Sequence, residues 1–128
     1  MPGWILLTHD VDDMPVAIFT DAKDTHTETL PIIMDERLCC DTILRVVKLS
    51  KSIFLVYDVY ALNGTLIHGR KTHAERSALI VDILDLFHGT DLTALFHVDD
   101  APVGTLIRGY EYYDDMPGSM GIFLEQCE

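Results

Sequence analysis

The sequence predicts an α+β fold, with mostly antiparallel sheets and one prominent helix. Most of the chain consists of short apolar or alternating runs, separated by turns rich in Asp, Asn, Gly and Pro, which is typical of strands. One segment, residues 72–89, places its apolar residues at helical intervals instead. Because 128 residues with 48% hydrophobic content suffice for one core, residues 1–128 are expected to form a single domain.

The N-terminal part is predicted to form a β-hairpin. Residues 4–8 and 16–20 alternate between polar and apolar positions, and the acidic turn 10–15 lies between them. Residues 21–29 are polar and are expected to form a loop.

A second strand pair is predicted at residues 42–49 and 52–61, because both runs are rich in β-branched and aromatic residues. The second run leads into Asn63 and Gly64, a dipeptide that favours a tight hairpin turn.

The predicted helix begins after Thr72, which has the capping-box spacing to Glu75. It is expected to span about four turns and to end near Gly89, a residue suited to a left-handed C-terminal stop. The apolar residues at helical spacing are Leu79, Ile80, Ile83, Leu84 and Phe87.

Three further strands are predicted after the helix, at residues 92–98, 105–113 and 121–126. Pro102 and Pro117 mark the turns between them. No internal repeat interrupts this order, which keeps the prediction at a single α+β unit.

Charge argues against two classes of partner. The net charge of −12 repels nucleic acid and anionic membranes, so DNA binding and membrane binding are not expected. Seven of the nine Lys and Arg residues nevertheless lie within residues 37–81, which hold only three acidic residues, a local balance of +4. This basic centre is either an anion site or one half of a charge pairing with the acidic flanks.

Cysteine and acidic clusters give no sign of a metal site. The three cysteines are odd in number and lack CxxC spacing, which predicts reduced thiols in an intracellular protein. The segments 9–13 and 97–100 each combine one His with Asp residues, a pattern that Ca²⁺ or Mg²⁺ sites also use. Both precede a proline, so we interpret them as solvated turns. The N-terminus lacks the pattern of a secretory signal, and no apolar run reaches the length of a membrane span.

The run Phe54–Gly64 (FLVYDVYALNG), followed by Ala74–Leu79 (AERSAL), resembles one stretch of the covalent nucleotidyltransferase superfamily. This superfamily includes mRNA capping guanylyltransferases and ATP-dependent polynucleotide ligases. In those proteins a hydrophobic strand ends in aromatic-Asp, continues into Leu-Asn-Gly and leads to a helix with an Arg-containing start. The resemblance implies a reduced nucleotidyltransferase-like core without an OB domain.

The family's reacting residues have no counterpart in this chain. Family enzymes form a lysyl-nucleotide phosphoramide through a Lys-x-Asp-Gly motif, and the nearest segment, which begins at Lys23, lacks the glycine. The Asp-Gly-Glu position of the family reads Arg45-Val46-Val47, and Met120 replaces a later carboxylate before glycine. The chain is therefore predicted not to be an enzyme and to use neither cofactor nor metal.

A nucleotide site remains an alternative. Tyr57 occupies the position at which the family packs an aromatic ring against the nucleobase, although an aromatic on a buried strand is also a common core residue. Candidate phosphate-binding residues in the basic centre are Arg45, Lys48 and Arg76.

Asp58, Asn63 and Gly64 are expected to have structural roles. Asp58 should accept hydrogen bonds near the junction of turn and helix, with Arg76 as a partner, and should point away from Tyr57 because side chains alternate along a strand.

The main functional hypothesis is a non-catalytic pseudoenzyme that resembles the capping-enzyme core and acts by protein–protein binding or self-association. Tyr110, Tyr112 and Tyr113 suit a protein contact surface, or equally one strand with a core face and an exposed face. By family analogy the source is a large DNA virus, with the protein in the cytoplasm or nucleus of the host. The alternatives are a nucleotide- or mRNA-cap-binding module, with a nucleotide or capped RNA as partner, and a subunit completed in trans by a chain that carries Lys-x-Asp-Gly.

Overall fold

A computed structural model describes residues 1–23, 25–31, 33, 34, 37, 40–88 and 94–125. In chain order its elements are β1 (Pro2–His9), β2 (Pro15–Asp21), β3 (Thr27–Leu30), β4 (Ile33–Met34), β5 (Thr42–Lys48), β6 (Ile53–Leu62), β7 (Thr65–Leu66), helix α1 (His73–Leu84), β8 (Phe87–His88), β9 (Ala94–His97), a 3-10 helix (Val98–Asp100), β10 (Gly109–Tyr112) and β11 (Ile122–Glu125). The predicted class, mostly antiparallel sheet with one helix, is confirmed for these residues.

The main sheet has the strand order β3-β2-β1-β5-β6-β7, and β9 joins it by pairing with β6. Two smaller ladders, β10 with β11 and β4 with β8, complete the described strands. All of these pairs are antiparallel except β6 with β9.

The predicted N-terminal hairpin forms from β1 and β2. Its acidic turn depends on Asp10, whose Oδ1 accepts hydrogen bonds from the backbone N–H groups of Asp12 at 2.8 Å and Met14 at 3.0 Å. Asp13 adopts the left-handed region with φ 58°. These acidic residues therefore build the turn itself, as expected for Asp in such positions.

The loop predicted at residues 21–29 is wrong at both ends, because residue 21 ends β2 and residues 27–29 belong to β3, which pairs with β2. Asp21 makes the reversal possible: its carboxylate accepts hydrogen bonds from the N–H of Thr25 at 2.7 Å and from the Thr25 hydroxyl at 2.6 Å. The chain turns back within a few residues, so the polar segment that follows becomes an edge strand.

The second predicted strand pair is present as β5 and β6. The turn after β6 has Asn63 at φ 49° and Gly64 at φ 82°, two consecutive left-handed residues as in a type I′ hairpin turn. Hydrogen bonds fasten this turn to the start of β5, because the N–H of Asn63 donates to Thr42 Oγ1 at 3.1 Å and the N–H of Gly64 donates to the carbonyl of Asp41 at 3.0 Å.

Helix α1 begins at the predicted capping box. The N–H of Glu75 donates to Thr72 Oγ1 at 3.3 Å, and the N–H of Thr72 donates back to Glu75 Oε1 at 3.0 Å. The helix ends at Leu84 after 12 residues, about three turns, and the backbone of Phe87 belongs to β8 instead. The predicted stop, Gly89, lies outside the described residues. Within the described part of the chain, no helix is long and apolar enough to cross a membrane.

Helix α1 is the crossover between two parallel strands. Of the strand predicted at 92–98, residues 94–97 form β9, which pairs with residues 53–56 of β6 in parallel. Residues 92 and 93 lie outside the described residues, and Val98 begins the 3-10 helix. A parallel pair needs a long connection, and helix α1 lies within that connection. This unit places the helix on one face of the main sheet.

The core lies between this face and the helix. Alternate residues of β1, β2 and β5 point into it, together with β6 residues and with Ile80 and Ile83 from the helix. The fully buried apolar side chains include Ile5, Leu7, Phe19, Leu44, Val46, Phe54, Val56, Val59 and Ile80. The opposite face of the sheet is only half-buried, at Trp4, Leu6, Ile18, Ile43 and Val47.

The last two predicted strands form a separate C-terminal hairpin, β10 with β11, each shorter than expected. The predicted turns are present: the N–H of Thr105 donates to the carbonyl of Pro102 at 3.1 Å, and a turn runs through Pro117 and Gly118. Residue 126 of the last predicted strand lies outside the described residues.

Candidate functional site

Asp58 is placed at the junction between β6 and helix α1. Its Oδ1 accepts a hydrogen bond from Arg76 Nε at 2.8 Å, and its Oδ2 accepts one from Arg76 Nη2 at 3.3 Å. Oδ1 also accepts from the N–H of Val59 at 2.8 Å. Asp58 thus takes the structural position expected for it, with Arg76 as its partner.

Arg76 is buried and fully engaged. Besides Asp58, its guanidinium donates to the carbonyls of His68 at 3.1 Å, Lys71 at 2.8 Å and Ser119 at 2.8 Å. The side chain is 0% exposed. Arg76 was a candidate for binding a ligand phosphate, and that assignment is wrong because the guanidinium has neither access to solvent nor an uncommitted side.

His68 borders this ion pair. Its ring stacks on Tyr60, with centroids 4.3 Å apart and planes within 1° of parallel. Its Nε2 is buried without a hydrogen-bond partner and lies 3.7 Å from Asp58 Oδ2. Burial lowers the pKa of His68, and the nearby Arg76 lowers this pKa further, whereas Asp58 acts in the opposite direction. The neutral ring is therefore favoured at this place.

Arg45 forms a second cluster, with the C-terminal hairpin. Its guanidinium donates to both carboxylate oxygens of Glu111, at 2.6 Å and 2.8 Å. The Tyr113 hydroxyl donates to the same carboxylate at 2.6 Å. The hydrogen bonds from Arg45 hold the pKa of Glu111 below its usual range, while burial raises the pKa of Tyr113. The Arg45 guanidinium also lies 5.5 Å from the ring centre of Tyr57.

The same cluster connects the hairpin to the start of helix α1. The rings of His73 and Tyr113 stack with centroids 3.5 Å apart. Gly121 lies against this pair of contacts, since a Cβ there would lie 2.5 Å from Glu111 Oε2 and 2.8 Å from the Tyr113 ring. Only glycine allows such close approach without displacing neighbouring side chains.

Lys48 lies apart from the Arg45 cluster. Side chains alternate along β5, so positions 45 and 48 face opposite sides of the sheet. Lys48 Nζ binds Glu28 and lies 5.5 Å from the ring centre of Phe19 and 5.8 Å from that of Phe54, both on the core side.

The four candidate nucleotide-binding residues therefore do not form one site. Only Arg45 and Tyr57 lie together, and the Arg45 guanidinium occupies the neighbourhood of the half-buried Tyr57 ring. Arg76 is buried, and Lys48 lies on the other side of the sheet. Two cations of the basic centre instead pair with carboxylates of the acidic flanks, Arg45 with Glu111 and Lys48 with Glu28, as the charge-pairing interpretation expects. The third, Arg76, pairs with Asp58 inside the basic centre itself.

The structure contains a Ser–His–Asp arrangement that includes His97 and Asp99, two residues of a segment (97–100) predicted to be a solvated turn. His97 is buried, with its Nε2 2.9 Å from Ser77 Oγ and its Nδ1 3.6 Å from Asp99 Oδ2. The apolar strand before His97 was a signal that this residue could be buried.

This arrangement lacks the proton placement of a catalytic triad. The N–H of Asp99 donates to His97 Nδ1 at 3.1 Å, so Nδ1 carries no proton. Nε2 then carries the proton and donates to Ser77 Oγ. A general base must accept the serine proton, so this histidine does not activate Ser77. His97 instead caps the 3-10 helix.

The acidic and His side chains of the described residues show no metal-binding geometry. Among the residues that the structure describes, no three His, Cys, Asp or Glu side chains come together as ligands for one ion. In the acidic turn at residues 10–13, the Asp10 carboxylate already accepts hydrogen bonds from backbone N–H groups.

The C-terminal hairpin presents an uncovered apolar surface. Cross-strand pairing puts Tyr110 opposite Leu124 and Tyr112 opposite Ile122, so these four side chains share one face. We call them the outer face of the hairpin. Tyr110 is 52% exposed, Tyr112 and Leu124 are each 56% exposed, and Ile122 is 66% exposed. Glu111, on the other face, contacts Arg45.

Comparison with known proteins adds no family assignment. No model of a protein family matches this chain, and no curated protein matches it. The function must therefore be inferred from the arrangement of its own residues.

Proposed function

We propose that this chain is a non-catalytic protein with a reduced nucleotidyltransferase-like core and that it acts by binding another protein chain. The observation that carries the proposal is the outer face of the hairpin, where four large side chains remain more than half exposed. Tyrosine with aliphatic residues is the composition that protein interfaces favour.

The chemistry of the described residues supports a binding role over a catalytic one. The cations that could neutralise a nucleotide phosphate, Arg45, Lys48 and Arg76, each pair with a carboxylate. No lysine stands in a Lys-x-Asp-Gly motif to form a phosphoramide with a nucleotide. The Ser77–His97 contact has the wrong proton placement to supply an alternative nucleophile.

The nucleotide- or cap-binding alternative receives less support. A base that stacks on the face of Tyr57 covered by Arg45 would have to displace the Arg45 guanidinium, which is held by two hydrogen bonds to Glu111. Charge-assisted hydrogen bonds of this kind contribute about 1.5–3 kcal/mol each, so displacement would oppose binding. Completion in trans by a chain with Lys-x-Asp-Gly is a variant of the binding proposal, in which the partner supplies the nucleophile.

The experiment is incubation of the purified protein with radioactive GTP or ATP and Mg²⁺ or Mn²⁺, followed by denaturing electrophoresis. No covalent label is expected. A matched thermal-shift titration with GTP, ATP and a methylated cap analogue should leave the melting temperature unchanged, because only a ligand of the native state raises it. A covalent label would overturn the non-catalytic proposal. A saturable shift that Tyr57→Ala abolishes would replace the proposal with the cap-binding alternative.

A further inference from the structure

We propose that the partner is a second copy of this chain, and that the outer faces of the two hairpins pack against each other about a two-fold axis. This inference rests on the proposed function, since it names the chain that is bound. It concerns Tyr110, Tyr112, Ile122 and Leu124.

The outer face is a continuous surface without charge. Its four side chains come from two cross-strand pairs, and side chains directly opposite in an antiparallel pair have Cβ atoms about 4.5–5.5 Å apart. The charged residues of these strands, Glu111 and Glu125, belong to the other face by alternation. Glu111 is paired with Arg45, so the hairpin turns its charge toward the body of the protein and its apolar side away from it.

A hairpin of this kind needs cover on its second face. Two strands alone are at best marginally stable in water. The inner contacts of this hairpin are the Arg45–Glu111 pair and the stack of Tyr113 on His73. Ile122, Phe123 and Leu124, three consecutive residues of β11, are all more than half exposed, which leaves both sides of the strand apolar. Packing against another apolar surface would remove this area from water.

A second copy fits this surface better than a partner of opposite charge. A basic partner would be selected by carboxylates, and the outer face has none. A two-fold axis requires that one patch complement itself, and a patch of tyrosine and aliphatic side chains does so, because each ring can pack on an aliphatic group of the other copy. The net charge of −12 opposes association of like chains at long range.

This opposition predicts a sign for the salt dependence. Salt screens repulsion between the two acidic copies, so self-association should strengthen between about 0.05 M and 0.5 M NaCl. A complex with a basic partner would weaken over the same range.

The test is sedimentation equilibrium of the purified full chain across micromolar concentrations at both salt levels. A dimer that strengthens with salt is expected. Ile122→Lys should weaken dimerisation by at least about 100-fold, because two-fold symmetry places the new charge in the interface twice. The matched control is Leu66→Lys on β7, which introduces the same charge at a side chain that is 70% exposed and outside the hairpin.

Folding of both variants is checked by circular dichroism and urea denaturation. Both residues are exposed, so the midpoints should agree with each other at a protein concentration low enough to keep both variants monomeric. Amide hydrogen exchange supplies a second measurement on the unmodified chain: exchange at 122–125 should slow as the protein concentration rises.

A chain that stays monomeric at every concentration and salt level would overturn the inference. So would a dimer that Ile122→Lys and Leu66→Lys weaken equally. Neither result affects the covalent labelling experiment, so the non-catalytic proposal is tested independently of the dimer. A monomer without label would leave a different protein as the partner, and a labelled dimer would remove only the non-catalytic proposal.

Discussion

Arg76 of helix α1 holds Asp58 of β6 through two hydrogen bonds, at 2.8 Å and 3.3 Å, in the protein interior. The same guanidinium binds the carbonyls of His68, Lys71 and Ser119. One buried cation therefore joins β6, the turn before the helix, the helix itself and the segment that precedes β11. Removing one partner of a buried ion pair strongly destabilises a protein. Substitutions at this contact should therefore lower the free energy of unfolding more than substitutions at exposed charged residues.

Replacement of Arg76 by lysine tests this role. Arg76→Lys keeps the positive charge but loses the planar fork that reaches Asp58 and three carbonyls at once. We expect the free energy of unfolding to fall by about 3 kcal/mol, because lysine keeps the charge but leaves buried acceptors of the five Arg76 hydrogen bonds without a donor. Urea denaturation measures the loss, with Arg70→Lys at an exposed position as control. Equal stability of the two variants would show that the contact of Arg76 with Asp58 does not contribute measurably to the free energy of unfolding.

Glu111→Gln tests how the hairpin is attached to the sheet. The substitution removes the charge that Arg45 binds and should cost about 1.5–3 kcal/mol at pH 7. Since the pKa of Glu111 is lowered in the folded protein, its contribution is complete above the unfolded value of about 4.3 and is lost as pH falls through the folded pKa.

The difference in stability between Glu111→Gln and the unmodified protein should therefore disappear in acid. Urea midpoints at pH 7 and at about pH 3 give the comparison. Glu125→Gln, at an exposed site on the same hairpin, should leave the midpoint unchanged at both pH values. A constant gap between Glu111→Gln and the unmodified protein down to the lowest pH would contradict an ionic role for Glu111.

His68→Phe tests the histidine beside the buried ion pair. The pKa of His68 is lowered by burial, so protons bind the unfolded chain first and stability falls as pH drops below about 6.5. Phenylalanine keeps the stack on Tyr60 and removes this titration, so the variant should lose less stability between pH 7 and pH 5. The lowered pKa of His73 acts with the same sign and should remain.

Urea denaturation at the two pH values measures the change, with His9→Phe, at an exposed position at the end of β1, as the control. At pH 7, His68→Phe should not destabilise the protein, because it removes a buried nitrogen without a partner. If His9→Phe and His68→Phe changed the pH dependence equally, burial of His68 would not be its cause.

Thr72→Ala tests the capping box of helix α1. The substitution removes the hydroxyl that accepts from Glu75 N–H, so the free energy of unfolding should fall by about 1 kcal/mol. Thr72→Ser retains the hydroxyl and should lose much less. Thermal or urea midpoints of the two variants measure the difference. If Thr72→Ala and Thr72→Ser lost the same stability, the effect would come from the threonine methyl group and not from the hydroxyl.

Much of the local structure was predictable because its signals lie within a few residues of one another. The Asn63–Gly64 turn follows from the ease with which these residues adopt positive φ, and both do. The start of helix α1 follows from Thr72 and Glu75, which are three residues apart. The pairing of Arg76 with Asp58 was expected from the resemblance and is present.

Other features depended on partners that no local pattern identifies. Residues 27–30 look like a polar loop and become a strand because β2 offers them a free edge. The strand β9 reads like its antiparallel neighbours and pairs in parallel because helix α1 carries the chain back along β6. His97 looked solvated, yet it packs against Ser77 of the helix.

The sequence by itself determined the class of fold, the positions of most strands, the turns and the N-terminus of the helix, because these follow from periodicity and from backbone preferences of neighbouring residues. Only the tertiary structure decided what the charged residues do. Ion pairs join residues far apart in the chain, such as Arg45 with Glu111 and Lys48 with Glu28, and their energies depend on burial and geometry that sequence distance does not contain. The Arg45–Glu111 pair also directs one face of the C-terminal hairpin toward the sheet and leaves the apolar outer face in solvent.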